Sequence, residues 1–554
     1  MLRSKTIGQT WQTFLHALNR GRRRFSRRVA RRVARRVARR VARRVAGWVG
    51  PLLILCAAIG GRLYQGVPVP DPPGNSIAEN PVVKSFVRLV DILETEYFET
   101  PDWEGMTGKS INRMLHTLDP HSNFYNPTDF TNMQNEQNSR YYGIGAIISQ
   151  RHNGIYVVGV TPGKPAHRAG IKYGDAIVEV DRESTIDWSE STWRSRMRTD
   201  PGSSVEITIE RAGVSRRQTF RIDRDEVPYP SVRHYFLIRP GIGYINLTGG
   251  FNQETSTELR QAMAALKAQG MERLLIDLRR NPGGLLKQAI QVSEIFLPPG
   301  NEIVSIRGRE GRVPQRSYVS ENQLPETMPL ALLIDEGTAS ASEIFAGALQ
   351  DYRRAKIIGE QSFGKGLVQT VYRLRGGTGL VLTTARYFTP RGRSIQRSYS
   401  DVSIYDYERS RRLMRPVAAP STGGIRPDLR VRSDEVLVDL RDACFQFARQ
   451  ASAGLIPNLV EWEVREADFY HQLRGQEYQI TTVVRRLFRD FVQIHPEWQL
   501  GQPLIEEQRD YVERQIRAEM IGTAYGTEIA EQFLLQSDRQ VLRAIEWLTR
   551  QVQK

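Results

Sequence analysis

The chain has 554 residues, 40% apolar and 25% charged. That is ordinary globular composition, and the length excludes a single hydrophobic core. The formal net charge of +17 suggests nucleic-acid binding until it is located: residues 1–62 hold 17 Lys and Arg and no acid, and the remaining 61 basic residues equal the 61 acidic ones. The body is neutral, which excludes a nucleic-acid-binding body; the basic balance belongs to one tail.

Residues 1–45 are that tail, and five copies of RRVA run from Arg27 to Ala46. An uncharged run, Val45 to Gly61, comes next. Basic flank plus apolar segment predicts a signal anchor or signal peptide over 46–61. Seventeen helical residues reach roughly 25 Å, slightly short of the ~30 Å hydrocarbon core, and Pro51 falls inside the run. Ala58-Ile59-Gly60 is a weak cleavage signal. The arginines are expected to stay in the cytoplasm and everything after Arg62 to cross, giving a single-pass inner-membrane protein with a periplasmic or other extracytoplasmic catalytic part. A cytosolic protein with a basic nucleic-acid arm is the lesser reading, because it leaves the apolar run unexplained. The two cysteines, Cys56 and Cys444, show no zinc spacing and offer the exported part no internal disulfide. That suits a bacterial-type exported protein.

Residues 62–79 contain a Pro/Gly linker. Residues 80–139 read as helical, with Val83, Phe86, Val87, Val90 and Leu93 at three- and four-residue steps, until LDPHS (118–122) stops the helix. Over 140–227 the period changes to two, and GAIISQ, GIYVVGV, AIVEVD and SVEITIER read as strands. Over 228–433 the short apolar strands GYINL, RLLIDL, LALLID and AKIIG alternate with helical segments, an α/β pattern. Residues 434–554 look helical, and Val541, Leu542, Ile545, Leu548 and Val552 form a stripe after a Ser537-Asp538 cap. That stripe admits two readings: a homodimer or partner interface, or packing within the chain.

Three stretches in the α/β region carry chemistry. GEQSFGKG (359–366) falls one residue short of a phosphate-binding loop, but Gly366 stands where Mg²⁺ needs Ser or Thr. The next stretch, LVQTVYRL, favours a strand over the helix that a phosphate site requires. Nucleotide binding is therefore set aside, leaving Lys365 presented between two glycines. Upstream, LALLID runs into a turn carrying Thr338, Ser340 and Ser342 before a helix beginning near Ala341. A hydroxyl there either caps the helix or sits where N–H groups stabilise an oxyanion. No histidine lies near it in sequence, and His121 reads as a turn residue. A lysine acts as base when held neutral, which burial favours. Third, LLIDLRRNPGGLL (274–286) is a strand running into paired glycines, either an ordinary turn or a set of backbone donors.

Taken together, LDPHS, YYGIGAII (141–148), AGIKYGD (169–175), DLRRNPGG (277–284), GTASASEIFAGALQD (337–351), GEQSFGKGLVQ and TTARYFTPRGRSIQ (383–396) resemble the carboxyl-terminal processing peptidases, or tail-specific proteases, over roughly residues 80–432. The resemblance implies an α+β multidomain chain with a PDZ domain over 140–227, a crotonase-like α/β serine-protease core over 228–433 and a helical C-terminal region. It implies Ser340 as nucleophile, Lys365 as an uncharged general base, Gln369 as the residue orienting it, and Gly283 and Ala341 N–H groups as the oxyanion hole. Four residues of extended chain span about 13 Å, so Gln369 reaches Lys365 only if the chain bends. Gly143, Ile144, Gly145 and Ala146 match the loop that captures a substrate's terminal carboxylate while the peptide adds as a strand. The implied partners are proteins or peptides with exposed C-termini; no cofactor or metal is implied. A binding protein using the core only as a scaffold is the rival, opposed by the intact Ser340, Lys365 and Gln369.

Overall fold

Asn80 accepts a hydrogen bond from Val82 N, and Pro81 opens the first turn of α1 (Pro81–Glu96), an arrangement that starts a helix cleanly. Helix α2 (Trp103–His116), strand β1 (Asn123–Tyr125) and helix α3 (Pro127–Gln137) come next. The structure is a computed structural model and describes residues 80–151, 154–197, 202–310, 313–398 and 423–551. The tail 1–45, the expected membrane segment 46–61 and the linker 62–79 lie outside the described residues. Among those described, no helix is long and apolar enough to cross a membrane. The stripe expected on α1 forms on a helix, but no residue of that helix is buried. Phe86 is 58% exposed.

The second region is mostly sheet. β2 (Arg140–Gly143) pairs with β9 (Asp225–Pro228). Between them lie β3 (Ala146–Arg151), β4 (Gly154–Val160), helix α4 (Pro165–Ala169), β5 (Ala176–Val180), β6 (Glu183–Ser184), helix α5 (Glu190–Met197), β7 (Ser204–Glu210) and β8 (Gln218–Asp223). The sheet order is β3-β4-β5-β7-β8, so β3 is an edge strand. Ile155, Val157, Ile177, Val205, Ile207 and Ile209 fill its core. The four strands expected here are β3, β4, β5 and β7.

The third region has two sheets. The first runs β10-β11-β12-β15-β16-β19, from β10 (Tyr235–Arg239), β11 (Ile242–Asn246), β12 (Arg273–Asp277), β15 (Leu330–Ile334), β16 (Lys356–Gly359) and β19 (Leu429–Arg430). All pairs from β11 onward are parallel. Every residue of β15 is buried, as a strand covered on both faces requires. On one face Leu274, Ile276, Leu332 and Ile334 pack against α6 (Thr255–Ala268), α7 (Leu286–Glu294) and α8 (Ala341–Asp351). The second sheet is antiparallel and joins β1, β18 (Gly379–Phe388), β13 (Glu302–Gly308) and β14 (Arg316–Val319), with β17 (Leu367–Arg373) on β18.

The C-terminal region is helical, as expected: α9 (Val438–Ser452), α10 (Thr482–Gln493), α11 (Gln502–Glu507), α12 (Arg509–Tyr525), α13 (Thr527–Leu535) and α14 (Arg539–Arg550). Phe447, Phe488, Trp498, Ile516 and Met520 give it a core of its own, and Cys444 is a free buried thiol within it. Of the two readings of the 541–552 stripe, packing within the chain is the one seen for its described residues. Val541, Ala544 and Leu548 pack on Leu275, Ala331, Leu333 and Ile358, the opposite face of the parallel sheet, with Ile545 partly buried beside them. Alternating strand residues point to opposite faces, so this helix covers what α6–α8 leave bare. Leu542 is 41% exposed, and Val552 lies outside the described residues.

The same region grips the β3–β8 sheet. Arg151 lies 3.3 Å from Asp442 Oδ1 and 3.7 Å from Glu519 Oε1, all three side chains at most 9% exposed. Its guanidinium sits over the Phe445 ring, and Arg449 Nε donates to Gly174 O at 2.6 Å.

Candidate active site

β15 ends at Ile334, and the turn after it is held by its own side chains. Thr338 Oγ1 accepts from Asp335 N (3.0 Å) and donates to Leu278 O (2.9 Å). Ser340 then sits at φ 56°, ψ −114°, immediately before α8. A non-glycine residue there is strained by about 1–3 kcal/mol and persists only where its surroundings over-determine it. They do: the Ser340 N–H donates to Glu343 Oε2 at 2.8 Å, and its carbonyl accepts from Tyr387 Oη at 3.0 Å.

Glu343 connects this turn to the lysine turn. Its carboxylate is fully buried. Besides Ser340 N it accepts from Ser362 Oγ (2.5 Å), Gly364 N (2.7 Å) and Lys365 N (2.8 Å). Burial pushes the carboxyl above its ordinary range, and the hydrogen bonds from Ser362, Lys365, Gly364 and Ser340 pull against that. Four donors around two oxygens is the arrangement an ionised carboxylate accepts. Tyr387, 2% exposed, closes the link from the other side: its single O–H is shared between Ser340 O and Lys365 O. The backbones of Ser340 and Lys365 are thus joined through two buried side chains.

Lys365 itself is half-buried, and Nζ donates to Gln369 Oε1 at 2.9 Å. The bend needed for that contact is present: pairing of β17 with β18 shifts register between Val368 and Gln369. Such a bulge re-aims a side chain. Gln369 Nε2 in turn donates to His121 O at 2.5 Å. LDPHS, read as a structural turn, therefore reaches the site through its backbone. Asp119 shapes that turn by accepting from His121 N (2.8 Å) and Ser122 N (2.9 Å). The chain beyond Lys365 is a strand, as expected, and not a phosphate-facing helix.

The 277–284 stretch lies against Ser340. Asn281 O accepts from Ala339 N (2.9 Å) and Ser342 Oγ (3.2 Å), and Asn281 Nδ2 donates to Leu247 O (2.6 Å). Gly283 has φ +91°, and a Cβ on it would fall 2.6–2.8 Å from Ala339 O, Ser340 Cβ and Ala341 N. Only glycine fits both the conformation and the space. Its N–H donates to Asn281 Oδ1 at 2.9 Å in this structure. Ala341 is the first residue of α8, where N–H groups have no intrahelical acceptor.

The Gly143–Ala146 loop is remote in sequence and belongs to the second region. Ile144 O accepts from Ala166 N (2.7 Å) and Gly145 O from Thr161 N (2.8 Å). In planar trans peptides the Gly145 and Ala146 N–H groups therefore point away from those two carbonyls. Among the described residues β3, which Ala146 opens, ends its sheet.

Sequence reasoning missed Glu343, Tyr387 and the His121 carbonyl. For Glu343 a signal existed: Ser340-Ala-Ser-Glu343 at a helix start is a capping-box pattern. For the other two no local signal exists.

Residues 241–404 match the profile of Peptidase family S41, and 143–222 that of a PDZ domain. A carboxy-terminal-processing protease of Bartonella bacilliformis is 38% identical over 325 residues, covering 57% of this chain and 74% of that protein. A carboxyl-terminal-processing protease of Synechocystis is 34% identical over 297 residues, covering 52% and 69%. The solved photosystem II D1 C-terminal processing protease is 29% identical with a TM-score of 0.36, covering 63% and 87%. The chain belongs to peptidase family S41, as a PDZ-bearing serine protease of the carboxy-terminal-processing kind.

Proposed function

We propose that this enzyme captures protein C-termini on its PDZ domain and cuts inside the chain through an acyl-enzyme on Ser340. Ser340 Oγ attacks the scissile carbonyl while neutral Lys365 Nζ takes the hydroxyl proton. The proton passes from Lys365 to the departing amine, leaving an ester on Ser340. Lys365 then takes a proton from water as the water attacks the ester, and returns it to Ser340 Oγ as the acyl C–O bond breaks, releasing the new carboxyl terminus and restoring neutral lysine. Gln369 orients Nζ without adding a charge. The oxyanion is held by Ala341 N–H and by Gly283 N–H once the latter exchanges Asn281 Oδ1 for the substrate. The observation carrying this reading is that Glu343 and Tyr387 fix the backbones of Ser340 and Lys365 to one another, while Lys365 Nζ meets a neutral amide.

Carbonyls of Ile144 and Gly145 already taken within the domain, and β3 at the end of its sheet, support carboxylate capture by the Gly145 and Ala146 N–H groups with the tail adding as a strand. The basic tail and residues 46–61 support an inner-membrane anchor and an extracytoplasmic site; protease accessibility of the catalytic domain in spheroplasts, but not in intact cells, tests that placement. For the chemistry, Ser340→Ala and Lys365→Ala should abolish cleavage of β-casein. Cleavage at the parental rate by either variant refutes the mechanism. Amidating the C-terminus of a casein-derived peptide should raise KM, and an unchanged KM refutes carboxylate capture.

A further inference from the structure

Residues 434–554 lie outside both family matches, yet one end of them reaches the loop beside Ser340. Asp538 caps α14: its Oδ1 accepts from Gln540 N and Val541 N, both at 2.9 Å. Its other oxygen accepts from Arg279 Nη1 at 2.7 Å. Gln540, fully buried, accepts from the same Nη1 at 3.0 Å and donates through Nε2 to Val431 O at 2.9 Å. The rest of the guanidinium belongs to Asp277, with Nε 2.9 Å from Oδ1 and Nη2 2.6 Å from Oδ2.

Arg279 is held by two different kinds of partner. Asp277 is the last residue of β12, paired between β11 and β15, and ties one edge of the guanidinium to the sheet. Asp538 and Gln540 belong to the last helix and its cap, packed across Leu275, Ala331, Leu333 and Ile358 of the central sheet, so they tie the other edge of the guanidinium to that helix. Beyond Arg279 the loop is stitched to the serine turn: Arg280 N donates to Asp335 Oδ1 (2.7 Å), Ala339 N to Asn281 O (2.9 Å), and Gly283 abuts Ser340 Cβ. A planar guanidinium gripped on both edges transmits position well.

We propose that Asp538 and Gln540 are positioning residues for proteolysis: by clamping Arg279 from the C-terminal helix they set the Asn281–Gly283 loop against Ser340. The proposal rests on Ser340 being the nucleophile. It makes the last helix an integral wall of the catalytic domain, and it gives any ligand or partner that moves that helix control over the oxyanion loop.

The test compares full-length Asp538→Asn, Gln540→Met, Leu542→Ala and Ser340→Ala on β-casein. Asn caps a helix as well as Asp; with one oxygen on the cap, its amide N–H₂ faces Arg279. Asp538→Asn is expected to lower kcat roughly tenfold with KM within about twofold, since small misplacements of reacting groups cost rate more than binding. Its melting temperature should stay near the parent's, and Leu542→Ala, exposed on the same helix, should leave kcat unchanged. Should Asp538→Asn fail to fold, Gln540→Met, which keeps the cap, decides by the same kcat-against-KM split. Parental kcat in both clamp variants, with Ser340→Ala inactive, overturns this inference and leaves the site intact. An equal loss in Leu542→Ala also overturns it, since helix packing alone would then be at work. Activity in Ser340→Ala overturns the nucleophile and the inference together.

Discussion

Replacing Glu343 with Gln keeps the side chain's shape and removes one acceptor atom. Oε2 serves two backbone N–H groups, Ser340 and Lys365, both at 2.8 Å. Oε1 serves one backbone N–H, Gly364, and the Ser362 hydroxyl. If the amide nitrogen takes the Oε2 side, two backbone donors face a donor. If it takes the Oε1 side, Ser362 can rotate, but Gly364 N–H cannot. At least one buried N–H is therefore orphaned, costing about 1–3 kcal/mol. The remaining bonds fall from charge-assisted to neutral, roughly halving each. The sum is about 3 kcal/mol or more, taken from the contacts that hold Ser340 in its strained conformation. Amide exchange in peptides covering 337–343 and 359–369 should accelerate by about two orders of magnitude, at ~1.4 kcal/mol per tenfold. kcat/KM for casein should fall by a comparable factor, because reacting atoms held about 1 Å out of place cost roughly 10². A Gln variant with parental exchange and parental kcat/KM would show that Glu343 does not hold the two turns together.

Three further outcomes are expected. Gly145 has φ +74°, and a Cβ there would lie 2.6 Å from Lys164 Cβ, so Gly145→Ala should weaken binding of a free-C-terminus peptide about tenfold; unchanged fluorescence polarisation would refute the loop's role. Burial pushes the His234 imidazole down to about 4, with Asp277 opposing and Arg233 assisting. The unfolded chain then binds the extra proton, so stability present above about pH 6.5 is lost as pH falls toward 4, by about 3 kcal/mol. Glu531, 3.8 Å away and pushed up to about 7 by burial, works in the opposite sense over the same window. His234→Phe should therefore gain stability relative to the parent as pH falls from about 6.5 to 4 in urea denaturation, and a pH-independent difference would refute it. Arg151→Ala takes the cation from buried Glu519 while Asp442 keeps Arg441 at 3.1 Å, which should destabilise the contact between the PDZ domain and the helical region by roughly 3 kcal/mol. Exchange in β3, β4 and α12 reports it, and parental protection would count against the pair.

Local pattern was enough for the strands of the PDZ domain and of the parallel sheet, because period-two alternation and all-apolar runs each reflect one burial geometry. It was enough for the cap at Asp538, which is a purely local bond. It was not enough for destination. Phe86 and Val541 sit on equally clear helical stripes, yet one is 58% exposed and the other fully buried beneath the sheet. Periodicity states that a face is apolar, not what covers it. The site divides the same way. Ser340, Lys365 and Gln369 stand in recognisable motifs, whereas Tyr387 joins Ser340 to Lys365 from 47 residues beyond the serine. The His121 carbonyl reaches Gln369 across 248 residues. Such contacts are products of topology and leave no mark in neighbouring residues.

On the proposed mechanism, the identity of residue 369 decides whether Lys365 can act as the base. A lysine serves as base only while neutral, and a carboxylate at hydrogen-bond distance favours the protonated form. Gln369 presents an amide oxygen 2.9 Å from Nζ and spends its N–H₂ on His121 O, so it orients the amine while placing no negative charge beside it. Gln369→Glu keeps length and branching while placing a negative charge at that distance. At ~3 Å and an effective dielectric of about 20 the attraction is roughly 5 kcal/mol before solvent screening, enough to survive substantial discounting at a half-buried position. The acid limb of the kcat/KM–pH profile should therefore move to higher pH. Activity at pH 7 should fall by at least roughly tenfold, then recover in part at pH 9–10 as the lysine is forced neutral. Gln369→Met, which removes the orientation but adds no charge, should lose activity without moving the limb. If the Glu variant lost activity equally at every pH, the neutral-lysine mechanism would fail, and Gln369 would be acting through geometry alone.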